Sequence, residues 1–157
     1  MSELAFRPAT RADVAAVARI VDAAYAMYIP RMGVKPAPML ADYEALVAER
    51  LVTVLDGEDG IDGALVMMER DGYLFVENVA VSPGAQGRGL GRKLMAHAET
   101  VASERGLREI RLYTNAKMTE NLAFYPKLGF IEEERRTEDG YDRVYFVKRL
   151  VGGANRA

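Results

Sequence analysis

Cysteine and tryptophan are absent from this 157-residue chain, histidine occurs once, and no apolar run is long enough to span a membrane. Without cysteine there are no disulfides and no thiolate nucleophile, a composition that fits the cytoplasm. With His97 alone, a histidine-rich metal centre is excluded and no metal is expected. A Ser-His-Asp triad is disfavoured as well, because Ser82 precedes a proline and His97 falls inside a helical pattern. Charge of one sign is also scarce. Lysine and arginine number 21 against 23 acids, a formal net charge of −2, which argues against nucleic acid or an anionic membrane as a partner. The first residues, Met1-Ser2-Glu3-Leu4, do not open a signal peptide. What is present is ordinary: half the residues are hydrophobic and 28% are charged. A single domain is expected over residues 1–150, with 151–157 as a C-terminal tail.

Residues 77–91 organise the rest. They read as the end of an apolar strand, a Pro-Gly turn, a glycine-rich loop and the start of a helix. Gln86-Gly87-Arg88-Gly89-Leu90-Gly91 removes Cβ atoms where a ligand must come close to the main chain. The helix from about Leu90 offers unpaired N–H groups to an anion. With Arg88, Arg92 and Lys93 beside them, these amides describe a cradle for a polyphosphate. The Walker spacing is not supplied by Gly91-Arg92-Lys93-Leu94. The dinucleotide fingerprint fails too, since its third glycine would fall at Arg92. A glycine-rich strand-to-helix turn with no ligand is the alternative that the loop alone leaves open.

Along the chain, the spacing of apolar residues assigns the elements. Residues 4–7 read as a first strand closed by Pro8. Thr10 and Asp13 resemble a capping box, ahead of a helix with Val14, Val17, Ala18, Val21 and Tyr25 on one face that frays at Tyr28-Ile29-Pro30. Residues 31–38, holding Gly33, Pro36 and Pro38, read as a loop. A short helix over 39–49 follows, with Leu40, Tyr43, Leu46 and Val47 on one side. Strands are expected at 51–55, 61–69 and 73–81, the last two joined by the hairpin signal Asp71-Gly72. A helix over 90–105, with Leu94, Ala98 and Val101 inward and Gly106 as cap, leads to a strand at 108–114. A helical crossover makes that strand parallel to 73–81. A helix over 119–128 ends at Gly129, and 130–136 with 143–150 make a last hairpin around Asp139-Gly140.

Three features together resemble the GNAT superfamily of N-acetyltransferases over nearly the whole chain. They are this element order, the loop Gln-x-x-Gly-x-Gly after Val-Ala-Val-Ser-Pro, and the run Asn121-x-x-Phe124-Tyr125-x-x-Leu128-Gly129-Phe130. The resemblance implies an α/β (α+β) GNAT fold: a central mixed, mostly antiparallel seven-stranded sheet flanked by about four helices, with splayed parallel fourth and fifth strands. It also implies acetyl-CoA as co-substrate and a primary amine as acceptor, either a small molecule or a protein amino group. It leaves room for a homodimer.

By the same resemblance, the amides of Gln86, Gly87, Arg88, Gly89, Leu90, Gly91 and Arg92 hold the CoA pyrophosphate. Main-chain groups of Val79 and Val81 meet pantetheine, and the Val79 amide polarises the thioester carbonyl. Tyr125 is the candidate general acid, because a phenol near ~10 can protonate a thiolate near ~8.5. Pro126 departs from the family pattern and restricts Tyr125, the residue before it. Asn121 is expected on CoA, and Asn115 near pantetheine or the acceptor. Glu77 is the only carboxylate in its strand, two residues before Val79, and is the candidate general base; it would otherwise bind the ammonium or face solvent. Tyr25, Met27, Tyr28, Met32 and Met39 form an adaptable lip for the acceptor, or simply finish the helix core. A catalytically silent CoA sensor, or transfer of another acyl group, is the rival reading.

Overall fold

The computed structural model describes residues 5–150, so the expected tail at 151–157 and Leu4 of the first strand lie outside the described residues. Its strands are β1 (Ala5–Pro8), β2 (Val52–Gly57), β3 (Gly60–Arg70), β4 (Tyr73–Val81), β5 (Glu109–Asn115), β6 (Ile131–Glu138) and β7 (Tyr141–Arg149). They form one seven-stranded sheet in the order β1-β2-β3-β4-β5-β7-β6. The pairs β1/β2, β2/β3, β5/β7 and β6/β7 are antiparallel, and β4/β5 is parallel, as expected for a GNAT fold. The parallel register joins Leu74 to Ile110 and Phe75 to Arg111. The helices are α1 (Val14–Tyr25), a single turn α2 (Ile29–Met32), α3 (Tyr43–Ala48), α4 (Leu90–Glu104) and α5 (Thr119–Lys127). Two compact units divide the chain, Met1–Met67 with Glu77–Met95, and Met68–Val76 with Ala96–Ala157.

In the first unit, the Thr10 main-chain N–H donates to Asp13 Oδ2 at 2.7 Å, the reciprocal arm of the expected capping box. The α1 face that is buried carries Val17, Ile20, Val21 and Tyr25; Val14 and Ala18 are only half-buried. The chain does not fray at 28–30. It stays helical through a 3₁₀ turn (Ala26–Tyr28) into α2, because Pro30 sits in the first turn, where its missing N–H has no intrahelical acceptor. Gly33, at φ +74°, ends the run. The helix expected over 39–49 is two pieces, a 3₁₀ turn (Ala37–Leu40) and α3, with extended Ala41 and Asp42 between them. Asp42 Oδ1 caps α3 by accepting from the Ala45 N–H at 3.1 Å. Leu40, displaced from the helical period, is therefore 63% exposed. The core of this unit is built on Val17, Val21, Val52, Val54, Leu65 and Leu94, each at or near zero exposure. Burial of such side chains contributes about 1.5–3 kcal/mol each.

The second unit packs β5 on β7, with Leu74, Ile110 and Val144 fully buried. Asp71 and Gly72 both have positive φ, the backbone that a two-residue hairpin requires. The inward side of α4 runs through Ala98 and Ala102 rather than Val101, which is half-buried. The α5 C-terminus closes with Phe130 N–H on the Tyr125 carbonyl at 3.2 Å and Gly129 N–H on the Pro126 carbonyl at 3.0 Å. This is a Schellman motif with left-handed Gly129 at its turn. Edge strand β6 is exposed from Ile131 to Thr137, and its charges pair along the strand, as for Arg135 with Glu132 at 2.9 Å.

Candidate active site

Strand β4 alternates at its C-terminal end. Val76, Asn78 and Ala80 are buried, whereas Glu77, Val79 and Val81 are half-buried, so Glu77 and Val79 share a face. The Val79 carbonyl accepts from the Tyr25 hydroxyl at 3.2 Å. The Val81 carbonyl accepts from Gln86 Nε2 at 3.3 Å, so the Gln86 side chain ties the loop back to its strand.

The loop itself begins with a 3₁₀ turn (Pro83–Ala85) that buries Ala85. Gly87 (φ +84°) and Gly89 (φ +73°) take the left-handed backbone, and a Cβ built on either would meet open space. Glycine is needed here for backbone conformation, and the space beside it is free for a ligand. The Lys93 N–H reaches the Gly89 carbonyl at 3.2 Å, so the amides of Leu90, Gly91 and Arg92 precede the first intrahelical bond of α4. These residues fit a pyrophosphate through main-chain donors. The Arg88 side chain is turned the other way: its guanidinium donates to Asp62 Oδ2 at 3.2 Å and to the Ala85 carbonyl at 3.4 Å.

At the lip expected for the acceptor, in the first unit, Tyr25 and Tyr28 are both buried, with ring centroids 6.1 Å apart. Arg31 lies over the Tyr28 ring at 5.2 Å. Burial raises the Tyr25 phenol far above its ordinary range, so it acts only as a neutral donor. Met32 and Met39 are half-buried and Met27 is 50% exposed, so the methionines line the surface rather than the core.

The second unit holds the other predicted residues. Asn121 donates through Nδ2 to Thr114 Oγ1 at 3.1 Å, which seats α5 on the end of β5. Asn115 is buried, and its Oδ1 accepts the Lys117 N–H at 2.9 Å, a local turn. Tyr125 stays within α5 and is 5% exposed. Its ring lies 5.1 Å from Phe124, 5.6 Å from Phe130 and 5.8 Å from Phe146. Pro126 does not break the helix before Tyr125, because the lost hydrogen bond falls in the last turn, where the Schellman closure takes over.

Asp62 and Asn78, which sequence reasoning passed over, and Tyr43, which it read only as a helix-face residue, support this geometry. Asp62 holds Arg88 from 26 positions away, which no local pattern announces. Tyr43 and Asn78 are joined at 2.7 Å. A lone asparagine at an inward position of an apolar strand is a signal that was available in the chain.

A family model described as acetyltransferase (GNAT) matches residues 19–130. The mycothiol acetyltransferase of Amycolatopsis mediterranei (strain U-32) is 43% identical over 72 residues, covering 46% of this chain and 23% of that protein. The IAA acetyltransferase of Azospirillum brasilense is 33% identical over 91 residues, covering 58% of this chain and 56% of its own. The chain thus spans less than two thirds of these curated relatives. Among solved structures, the ribosomal-protein-S18-alanine N-acetyltransferase from Escherichia coli superimposes with a TM-score of 0.74 over 94% of both chains, at 21% identity, a likeness of fold. Among the described residues no helix is long and apolar enough to cross a membrane.

Proposed function

This chain belongs to the acetyltransferase (GNAT) family, and from that premise we propose that it moves an acetyl group from acetyl-CoA to a primary amine by direct attack, without a covalent enzyme intermediate. The observation that carries the reading is the loop at Gly87 and Gly89, left-handed and open, between β4 and the first free amides of α4. The amides from Gly87 to Arg92 hold the pyrophosphate, and the Gln86 N–H, bonded to the Pro83 carbonyl at 3.4 Å, fixes the start of the loop. Main-chain groups of Val79 and Val81 bind along pantetheine, and the Val79 N–H stabilises charge that develops on the thioester oxygen. The Val79 carbonyl keeps a second lone pair beside the Tyr25 bond.

The acceptor is a small-molecule amine or a protein amino group, received by Tyr25, Tyr28 and Met32. Glu77, on the Val79 face, takes the proton that an alkylammonium must lose, directly or through water. The amine nitrogen attacks the thioester carbon, a C–N bond forms and the C–S bond breaks. The sulfur leaves with the electron pair and receives a proton from Tyr125, and the proton that the new amide nitrogen sheds returns through water to the Tyr125 phenolate. Asn121 contacts coenzyme A, and Asn115 pantetheine or the acceptor.

Thiol release across a panel of amines tests this, with Tyr125→Phe and Glu77→Gln beside the parent protein. Tyr125→Phe is expected to lower kcat by about 100-fold or more, with a smaller change in the acetyl-CoA KM. An unchanged rate removes Tyr125 from the mechanism. Glu77→Gln is expected to lower kcat/KM for the amine by about 100-fold or more, and an unchanged value removes Glu77 as the base. Coenzyme A binding without turnover on any amine overturns the catalytic reading.

A further inference from the structure

We propose that Asn78 and Tyr43 form a strut that sets the acceptor segment between α2 and α3 against β4, acting on acceptor binding and not on donor binding. The kinetic part of this inference rests on the acetyl-transfer reading above; the structural part does not.

One hydroxyl makes the connection. Tyr43 donates to the Pro38 carbonyl at 2.6 Å and accepts from Asn78 Nδ2 at 2.7 Å. Pro38 lies in the middle of residues 33–42, and Asn78 lies between Glu77 and Val79 on β4. Tyr43 and Asn78 are 6% and 5% exposed, so water does not compete for either bond. With one lone pair taken by Nδ2, the Tyr43 O–H is directed at Pro38. Burial, then Tyr25 and Glu77, raise the Tyr43 phenol, which keeps its proton on the bond to Pro38.

Asn78 is also oddly spent. Its Oδ1 is the one buried side-chain polar atom among the described residues without a hydrogen-bond partner. An unpaired buried acceptor offsets what the single Nδ2 bond contributes. Asparagine here therefore adds little net stability over an apolar residue of its size. What it supplies is direction for the tyrosine hydroxyl. The segment it anchors also packs through buried Pro36 and half-buried Ala37 and Met39, while Val34 is 52% and Leu40 63% exposed. Loosening it moves the acceptor lip relative to Glu77 while the glycine loop keeps its own contacts to Asp62 and Val81.

Asn78→Leu, Tyr43→Phe and the double variant test the strut in the full chain. Readouts are melting temperature, amide hydrogen exchange, and separate KM values for acetyl-CoA and acceptor. Asn78→Leu is expected to melt at or above the parent, yet to speed exchange over 33–42 by about fivefold, the worth of one net hydrogen bond. Its acceptor KM rises by a similar factor, with kcat and the acetyl-CoA KM unchanged. Tyr43→Phe lowers the melting temperature, because Asn78 is then wholly unpaired. The double variant regains melting temperature but neither the slow exchange nor the low acceptor KM. Parent-like exchange in Asn78→Leu, or an acceptor KM that recovers with stability in the double variant, overturns the proposal. If the parent turns over no amine, the acetyl-transfer reading has failed and the exchange result alone decides the strut.

Discussion

Gly63 in β3 offers a direct test of how the sheet sets the glycine loop and α4. A Cβ at this position would stand 2.9 Å from Leu94 Cδ1 and 3.3 Å from the Ala80 carbonyl oxygen. Leu94 has no exposed surface, so its methyl has nowhere to retreat without moving α4. The Ala80 oxygen belongs to β4 main chain, between Val79 and Val81. Overpacking of this kind costs about 1–3 kcal/mol. Removing glycine's freedom in the unfolded chain returns about 0.4–1 kcal/mol. The mid-range net for Gly63→Ala is then about 1.3 kcal/mol, or about 3–5 °C in melting temperature for a chain of this size. Leu94→Ala alone should cost about 2–5 kcal/mol. In the double variant the new methyl enters the space vacated, so the loss falls short of the sum by about 1 kcal/mol or more. Thermal melts followed by circular dichroism give all four values. On the acetyl-transfer reading proposed above, the acetyl-CoA KM of Gly63→Ala should rise too, since α4 begins with the amides assigned there to the pyrophosphate. A Gly63→Ala protein that melts with the parent, or a strictly additive cycle, would refute the packing argument.

Two further outcomes follow from single residues. Arg50 holds φ +62° at the end of α3, where the Leu51 N–H to Leu46 carbonyl bond makes a Schellman closure that favours glycine. Arg50→Gly should stabilise by up to about 1 kcal/mol in denaturant melts, and destabilisation would show that the arginine side chain does more than tolerate the turn. His97 has its pKa lowered below the ordinary 6.5, by burial first and against the pull of Glu104. The folded state therefore binds fewer protons than the unfolded one, so its stability contribution is full above pH 6.5 and declines as pH falls toward the folded pKa. His97→Gln should flatten that part of the stability profile, and an unchanged slope below pH 6.5 would place the effect elsewhere.

How much of this was legible beforehand depends on the range of the interaction concerned. The strand 73–81, the start of α4 at Leu90 and the turns at Asp71-Gly72 and Asp139-Gly140 are local matters of period and left-handed backbone, and each was readable from a few adjacent residues. The short helices were less so. Pro30 looked like a stop and proved a start, since the same missing N–H serves the first turn of a helix as well as it breaks an interior one. Leu40 matched a helical period, yet Asp42 capped a new helix and left it outside.

Element order and motif resemblance by themselves determined the family and the sheet with its parallel pair, and singled out the glycine loop as the candidate place for a polyphosphate. Tertiary structure alone decided that Arg88 turns to Asp62, that Tyr25 grips the Val79 carbonyl, and that Tyr43 joins Pro38 to Asn78. The physical reason is the same in each case. Backbone conformation answers to neighbours a few positions away, whereas a side-chain hydrogen bond needs a partner brought close by the whole fold, and here those partners lie up to 54 positions apart.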